Sequence, residues 1–170
     1  MKARLAILIA LSAATVAFAD DELDKILADV RSRNVAFTPY SEKYRNGQLR
    51  ERGLRRYLGI VCGKAWTDYD GLREGWYESG VKECEIHYKG GDRDGVALNW
   101  FPNGKKKYAV TWSKGKRDGA FAVYYDSEVV SARGRFKEEV LAQAEFFDRE
   151  GKRVTKEQWL AIAGNRSFWN

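Results

Sequence analysis

Through the middle of the chain apolar and polar residues alternate with the two-residue period of half-buried strands. Val96, Leu98 and Trp100 alternate with Ala97, Asn99 and Phe101. Tyr108, Val110 and Trp112 form one face of the following run, opposite Lys107, Ala109 and Thr111. Cys84, Ile86 and Tyr88 repeat that face earlier, opposite Glu83, Glu85 and His87. Pro102-Asn103-Gly104 lies between two runs as a turn, in which Pro presets φ, Asn tolerates the next corner and Gly takes φ > 0. Ser113 to Gly119 supplies a second, Gly-bounded turn. Connections this short make successive strands antiparallel neighbours, so the pattern predicts a mainly β fold, an elongated twisted meander of hairpins.

The pattern repeats with a period of 24 residues. Asp70-Gly71, Asp94-Gly95 and Asp118-Gly119 keep that spacing, as do Trp76-Tyr77, Trp100-Phe101 and Tyr124-Tyr125. Tyr88, Trp112 and Phe136 follow it, Gly80 and Gly104 match, and Gly91 matches Gly115; the third copy has Glu128 and Glu139 instead. A degraded fourth copy, Phe146-Phe147-Asp148-Arg149-Glu150-Gly151, echoes Trp100 to Gly104 with a displacement of two. Agreement of several residue classes on one period is the mark of a repeat array.

The units Gly71-Leu-Arg-Glu-Gly75-Trp76-Tyr77, Gly91-Asp-Arg-Asp-Gly95 through Trp100-Phe101-Pro102-Asn103-Gly104, and Gly115-Lys-Arg-Asp-Gly119 through Tyr124-Tyr125 resemble bacterial MORN-repeat proteins. More narrowly they resemble the variant found in the YwqK-like antitoxin family, and Tyr44 to Gly53 is a looser opening unit. In the first full unit the aromatic pair directly follows Gly75, whereas five residues carry Gly95 to Trp100. The resemblance implies an elongated antiparallel sheet used for protein or membrane contact, and no catalytic residues.

The flanks read differently. Met1 to Arg4 is a short positive stretch, Leu5 to Val16 is apolar, and Ala17-Phe18-Ala19 precedes Asp20 as a small-residue cleavage site. Residues 1–19 are thus expected to be a signal peptide cut between Ala19 and Asp20, placing the mature chain in the periplasm or outside the cell. Leu23, Ile26, Leu27 and Val30 have helical spacing, giving an N-terminal helix and linker over 20–43. The array is expected over 44–153, and Thr155-Lys156-Glu157-Gln158 opens a capping helix in 154–170 as a capping box.

Composition narrows the chemistry. Six Trp, nine Tyr and eight Phe with sixteen Gly and two Pro suit short strands and Gly turns. A formal charge of +6, part of it in the signal segment, fits anionic envelope surfaces, and export argues against nucleic acid as a partner. One His and two Cys cannot supply an ordinary zinc quartet without carboxylates. His87 shares a solvated face with Glu83 and Glu85 and has no visible triad, so no catalytic residue, metal or cofactor is expected. Cys62 and Cys84 are either a disulfide, fitting an exported chain, or two buried thiols. The basic clusters are 50–56, Lys105-Lys106-Lys107 and Lys114-Gly115-Lys116-Arg117; the last two fall at opposite sides of the meander.

The repeated rings carry the functional expectation. Tyr88, Trp112 and Phe136 are expected to form a structural ladder. Adjacent pairs put one ring on each face, so Trp76, Trp100 and Tyr124 line one side and Tyr77, Phe101 and Tyr125 the other. These six rings, rimmed by Lys105 and Lys116, are the expected contacts of a non-enzymatic interaction or scaffold module with a protein partner. The alternative is an envelope-surface binder of anionic lipid or polysaccharide through the turn lysines and an exposed aromatic row.

Overall fold

A computed structural model of the protein describes residues 36–61 and 64–163. The Ala19/Asp20 junction, the helical pattern of 20–34 and Cys62 lie outside the described residues. From Ala36 onward the chain forms one unit of its own. Its strands are β1 (Thr38–Lys43), β2 (Leu49–Val61), β3 (Lys64–Trp76), β4 (Lys82–Lys89), β5 (Asp92–Trp100), β6 (Lys106–Ser113), β7 (Lys116–Tyr124), β8 (Val130–Lys137), β9 (Val140–Phe147) and β10 (Arg153–Val154). One helix, α1 (Lys156–Ala163), follows. All ten strands lie in one antiparallel sheet in sequence order, the expected meander. The sheet begins at Thr38, inside the stretch read as linker, and β1 pairs with β2 from Thr38↔Arg55 to Lys43↔Leu49.

Two kinds of turn alternate, and each explains one feature of the repeat. At one end of the strands the turns span Tyr44–Gln48, Tyr77–Val81, Phe101–Lys105, Tyr125–Val129 and Asp148–Lys152. In each, the first residue donates its N–H to the last carbonyl, and the fourth residue donates back to the first. That is a three-residue loop closed by a left-handed residue, here Gly47, Gly80, Gly104, Glu128 and Gly151. At the other end, two-residue loops put both central residues at positive φ: Gly90-Gly91, Lys114-Gly115 and Glu138-Glu139. Such type I′ corners match the twist of the flanking strands.

The turns also bond to one another. Gly91, Gly115 and Glu139 donate their N–H groups to the carbonyls of Tyr69, Arg93 and Arg117, at 2.9–3.0 Å. At the opposite end Tyr44, Tyr77 and Tyr125 donate their hydroxyls to the carbonyls of Trp76, Trp100 and Phe147, each at 2.8 Å. These bonds place Phe147, not Phe146, in register with Trp100, so the fourth copy is displaced by one residue rather than two. They likewise align Gly71 with Gly95 and Gly119, which removes the apparent irregularity at Gly75.

One face of the sheet is the core. Cys84 and Ile86, Ala97, Val110, Phe121 and Val123, Ala132 and Phe136, and Phe146 supply it in order from β4 to β9, and Trp159 of α1 closes it. The expected ring set is here: Tyr88, Trp112 and Phe136 stand directly opposite Gly71, Gly95 and Gly119. A ring beside each glycine covers backbone that a glycine leaves bare. On the other side Trp112 and Phe136 are capped by Arg93 and Arg117, at 4.6 and 4.7 Å, and Tyr88 by Tyr69 at 5.2 Å. Gly134 is required by packing, since a Cβ there would lie 2.0 Å from the Gln143 carbonyl oxygen.

The capping box at α1 is formed as its sequence implies. Gln158 N–H donates to Thr155 Oγ1 at 3.3 Å, and Thr155 N–H donates to Gln158 Oε1 at 3.0 Å. This fixes the entry of the helix so that Trp159 stacks on Phe146, with centroids 5.3 Å apart, and donates Nε1–H to Ser131 Oγ at 2.7 Å.

Candidate binding face

The face opposite the core is open. Leu72 and Val96 point away from the buried rings and remain 38% and 45% exposed, with Leu54 beside them. In β5 the core residue Ala97 and the exposed Val96 are consecutive, as the strand period requires. Across β3 to β7 this side carries Leu72, His87, Val96, Thr111 and Ala120 in one row, and Glu74, Glu85, Leu98, Ala109 and Ala122 in the next. Near β1 a shallow groove of about 480 Å³ opens over Gly53, walled by Pro39, Leu54 and Leu72 and edged by the Arg52–Glu74 pair.

Trp76, Trp100 and Tyr124 lie on this side at the ends of β3, β5 and β7, each half-buried, and Phe147 joins them at the end of β9. Lys82, Lys106, Val130 and Arg153 are their direct cross-strand partners. Lys82 reaches over both Trp76 and Trp100, 5.8 Å from each centroid, while Arg52 covers Trp76 from the other side at 5.3 Å. Lys82 also bonds Glu74 at 2.7 Å and Glu85 at 2.9 Å. The Lys82 ammonium and then Arg52 hold the Glu74 carboxyl below the ordinary carboxylate range.

The second aromatic set is structural in large part. Tyr125 is 0% exposed and its hydroxyl is committed to Phe147, so it is removed from the expected contact set. Tyr77 is half-buried and bonded in the same way. Phe101 occupies the same turn position without a hydroxyl and lies under Lys107, 5.9 Å away. Lys105 is half-buried in the turn, its N–H bonded to Asn103 Oδ1, and Lys116 is exposed at the opposite end of the strands. The two lysines therefore do not rim one site.

The basic run 50–56 is not a free cationic patch. Arg52 pairs with Glu74, Arg55 with Glu42 and Arg56 with Asp68, the last pair buried to 9% and 6% side-chain exposure. On the core side Arg73 and the Tyr40 hydroxyl both bond Glu51. Burial alone would raise the Glu51 carboxyl, but these two donors bring it below its ordinary value. Cys84 is a free, buried thiol beside Arg73, 3.9 Å from Nη1, and burial pushes its pKa up, the reverse of what a nucleophile needs. His87 is exposed, its Nδ1 3.1 Å from the Val96 carbonyl oxygen. Among the described residues no group of three His, Cys, Asp or Glu is arranged to hold a metal ion.

Sequence reasoning missed Leu54, Leu72, Val96 and the cationic partners of the rings. The partners carried a legible signal, a Lys or Arg six residues after the ring in Trp76/Lys82, Trp100/Lys106 and Phe147/Arg153. No curated protein and no solved structure matches the chain. The family model of the MORN repeat variant does match it at two repeats, residues 69–89 and 93–114, and repeats of this kind generally bind proteins or membrane lipids and are typically non-enzymatic.

Proposed function

We propose that the protein is an exported, non-enzymatic MORN-repeat scaffold that binds a protein partner through the open face. The observation that carries this reading is the exposure of Leu72 and Val96 on the side opposite a complete core. Apolar side chains exposed on this face, bordered by half-buried Trp76 and Trp100 and by paired charges, have the composition of an interface centre with a polar rim. Export rests on the charged, apolar and A-x-A succession of residues 1–19. Affinity capture from an envelope extract tests the reading: Leu72→Glu and Val96→Glu should abolish capture of the partner with folding unchanged. Retention of the same partner by both variants would discard the face.

A second reading, an anionic envelope surface, is favoured by the direct pairing of rings with cations at the ends of β5 and β9.

A further inference from the structure

We propose that the row from Trp100 to Arg153 on the open face binds an extended acidic polysaccharide lying across β5 to β10. The proposal rests on the open-face reading above, shares Trp100 with it, and otherwise uses residues beyond Leu72 and Val96. Trp100, Tyr124 and Phe147 recur on alternate strands at one register, each half-exposed. Two strand spacings put neighbouring rings about 9.6 Å apart, close to the reach of one disaccharide. One register inward the directly paired Ala109 and Ala122 offer no bulk, so a low floor lies beside Trp100 and Tyr124, and it ends at Arg133 and Glu145 beside Phe147.

Charge selects an acidic chain and restricts it to this half of the face. Lys106, opposite Trp100, is exposed and has no carboxylate partner among the described residues. Arg133 and Arg153 share the single carboxylate of Glu145, at 2.8 and 3.4 Å, which leaves a net positive charge beside Phe147. In the other half, by contrast, Lys82 is already neutralised by Glu74 and Glu85. A uronic-acid chain matches the order of rings and cations, with Arg133, one register inward, supplying on β8 the cation that Val130 does not: in each disaccharide one pyranose lays its C–H face on a ring while the next offers its carboxylate to the adjacent cation. A peptide, at about 3.3 Å per residue, has no such two-part unit at this pitch.

The test is calorimetric titration of the full chain with oligogalacturonates of two, four and six sugars, with tryptophan emission followed in parallel. Affinity should rise with each disaccharide up to six sugars and weaken as salt is raised. The methyl-esterified hexamer should bind at least tenfold more weakly. Lys106→Ala, an exposed change that leaves the fold intact, and Trp100→Ala should each cost about tenfold, and Lys116→Ala at the far end nothing. Absence of hexamer binding, indifference to Lys106→Ala, or an equal loss in Lys116→Ala would overturn the proposal. So would preferential binding of anionic vesicles, a single-stranded polynucleotide or an acidic peptide through the same residues. Leu72→Glu and Val96→Glu lie outside the row and should leave sugar binding unchanged, which separates this outcome from that of the protein-partner reading.

Discussion

At the fourth long turn Glu128 holds φ = 74° where Gly47, Gly80, Gly104 and Gly151 hold 86°, 85°, 81° and 83°. A side chain in that conformation costs on the order of 1 kcal/mol, which the glycines avoid. Glu128→Gly should therefore raise the stability by about 1 kcal/mol in urea unfolding; a loss of similar size would show that the Glu128 side chain makes a compensating contact. Phe101 is the complementary case, for it interrupts the series in which Tyr44, Tyr77 and Tyr125 donate to the next hairpin. Phe101→Tyr should gain about 1 kcal/mol by supplying the missing hydroxyl to the Tyr124 carbonyl. An unchanged midpoint would mean that the hydroxyl finds no acceptor there. Gly134→Ala should go the other way, by about 3 kcal/mol or more, because the added methyl meets the Gln143 backbone. The spacing of these positions was legible in the sequence. Which member of an aromatic pair is structural was not, because the hydroxyl's acceptor lies about one repeat away in sequence.

Among the elements, β4 to β9 were legible because their core face is apolar and alternates cleanly. The repeat marked Gly71 to Trp76 of β3 and placed β2 within the array, but strand alternation was not legible in β1 to β3, since their facing residues are charged. Arg50 to Arg56 reads as a basic surface run until β3 supplies Glu74 and Asp68 as partners, and Pro39 weakens the strand signal of β1. The buried Arg56–Asp68 pair makes this region sensitive to losing one member, and Asp68→Ala should destabilise the protein by roughly 3 kcal/mol. The same region sets the acid limit. Glu51 and Glu74 both have carboxyls lowered in the folded state, so their contribution is full above the ordinary value of 4.5 and is lost as pH falls through the lowered values. Thermal stability should therefore fall steeply below that pH, and Glu74→Gln should flatten the fall while lowering stability at neutral pH. An unchanged acid slope in that variant would remove Glu74 from the account.

For the whole molecule, the meander was legible from the period of 24 residues, and the turn-to-turn bonds and the choice of face were not. Periodicity places Val96 and Ala97 on opposite sides of β5, but only the packing of the neighbouring strands shows that Ala97 is covered and Val96 is exposed. The central claim is that this exposed side, rather than the turns, is where a protein partner docks. Site-specific photocrosslinking separates the two. A photoreactive residue at Val96 should capture a discrete partner in envelope extract, whereas one at Val140, more exposed at 68% but placed beside a tight turn, should not. Equal capture at both positions, or capture at Val140 alone, would contradict the assignment of the open face.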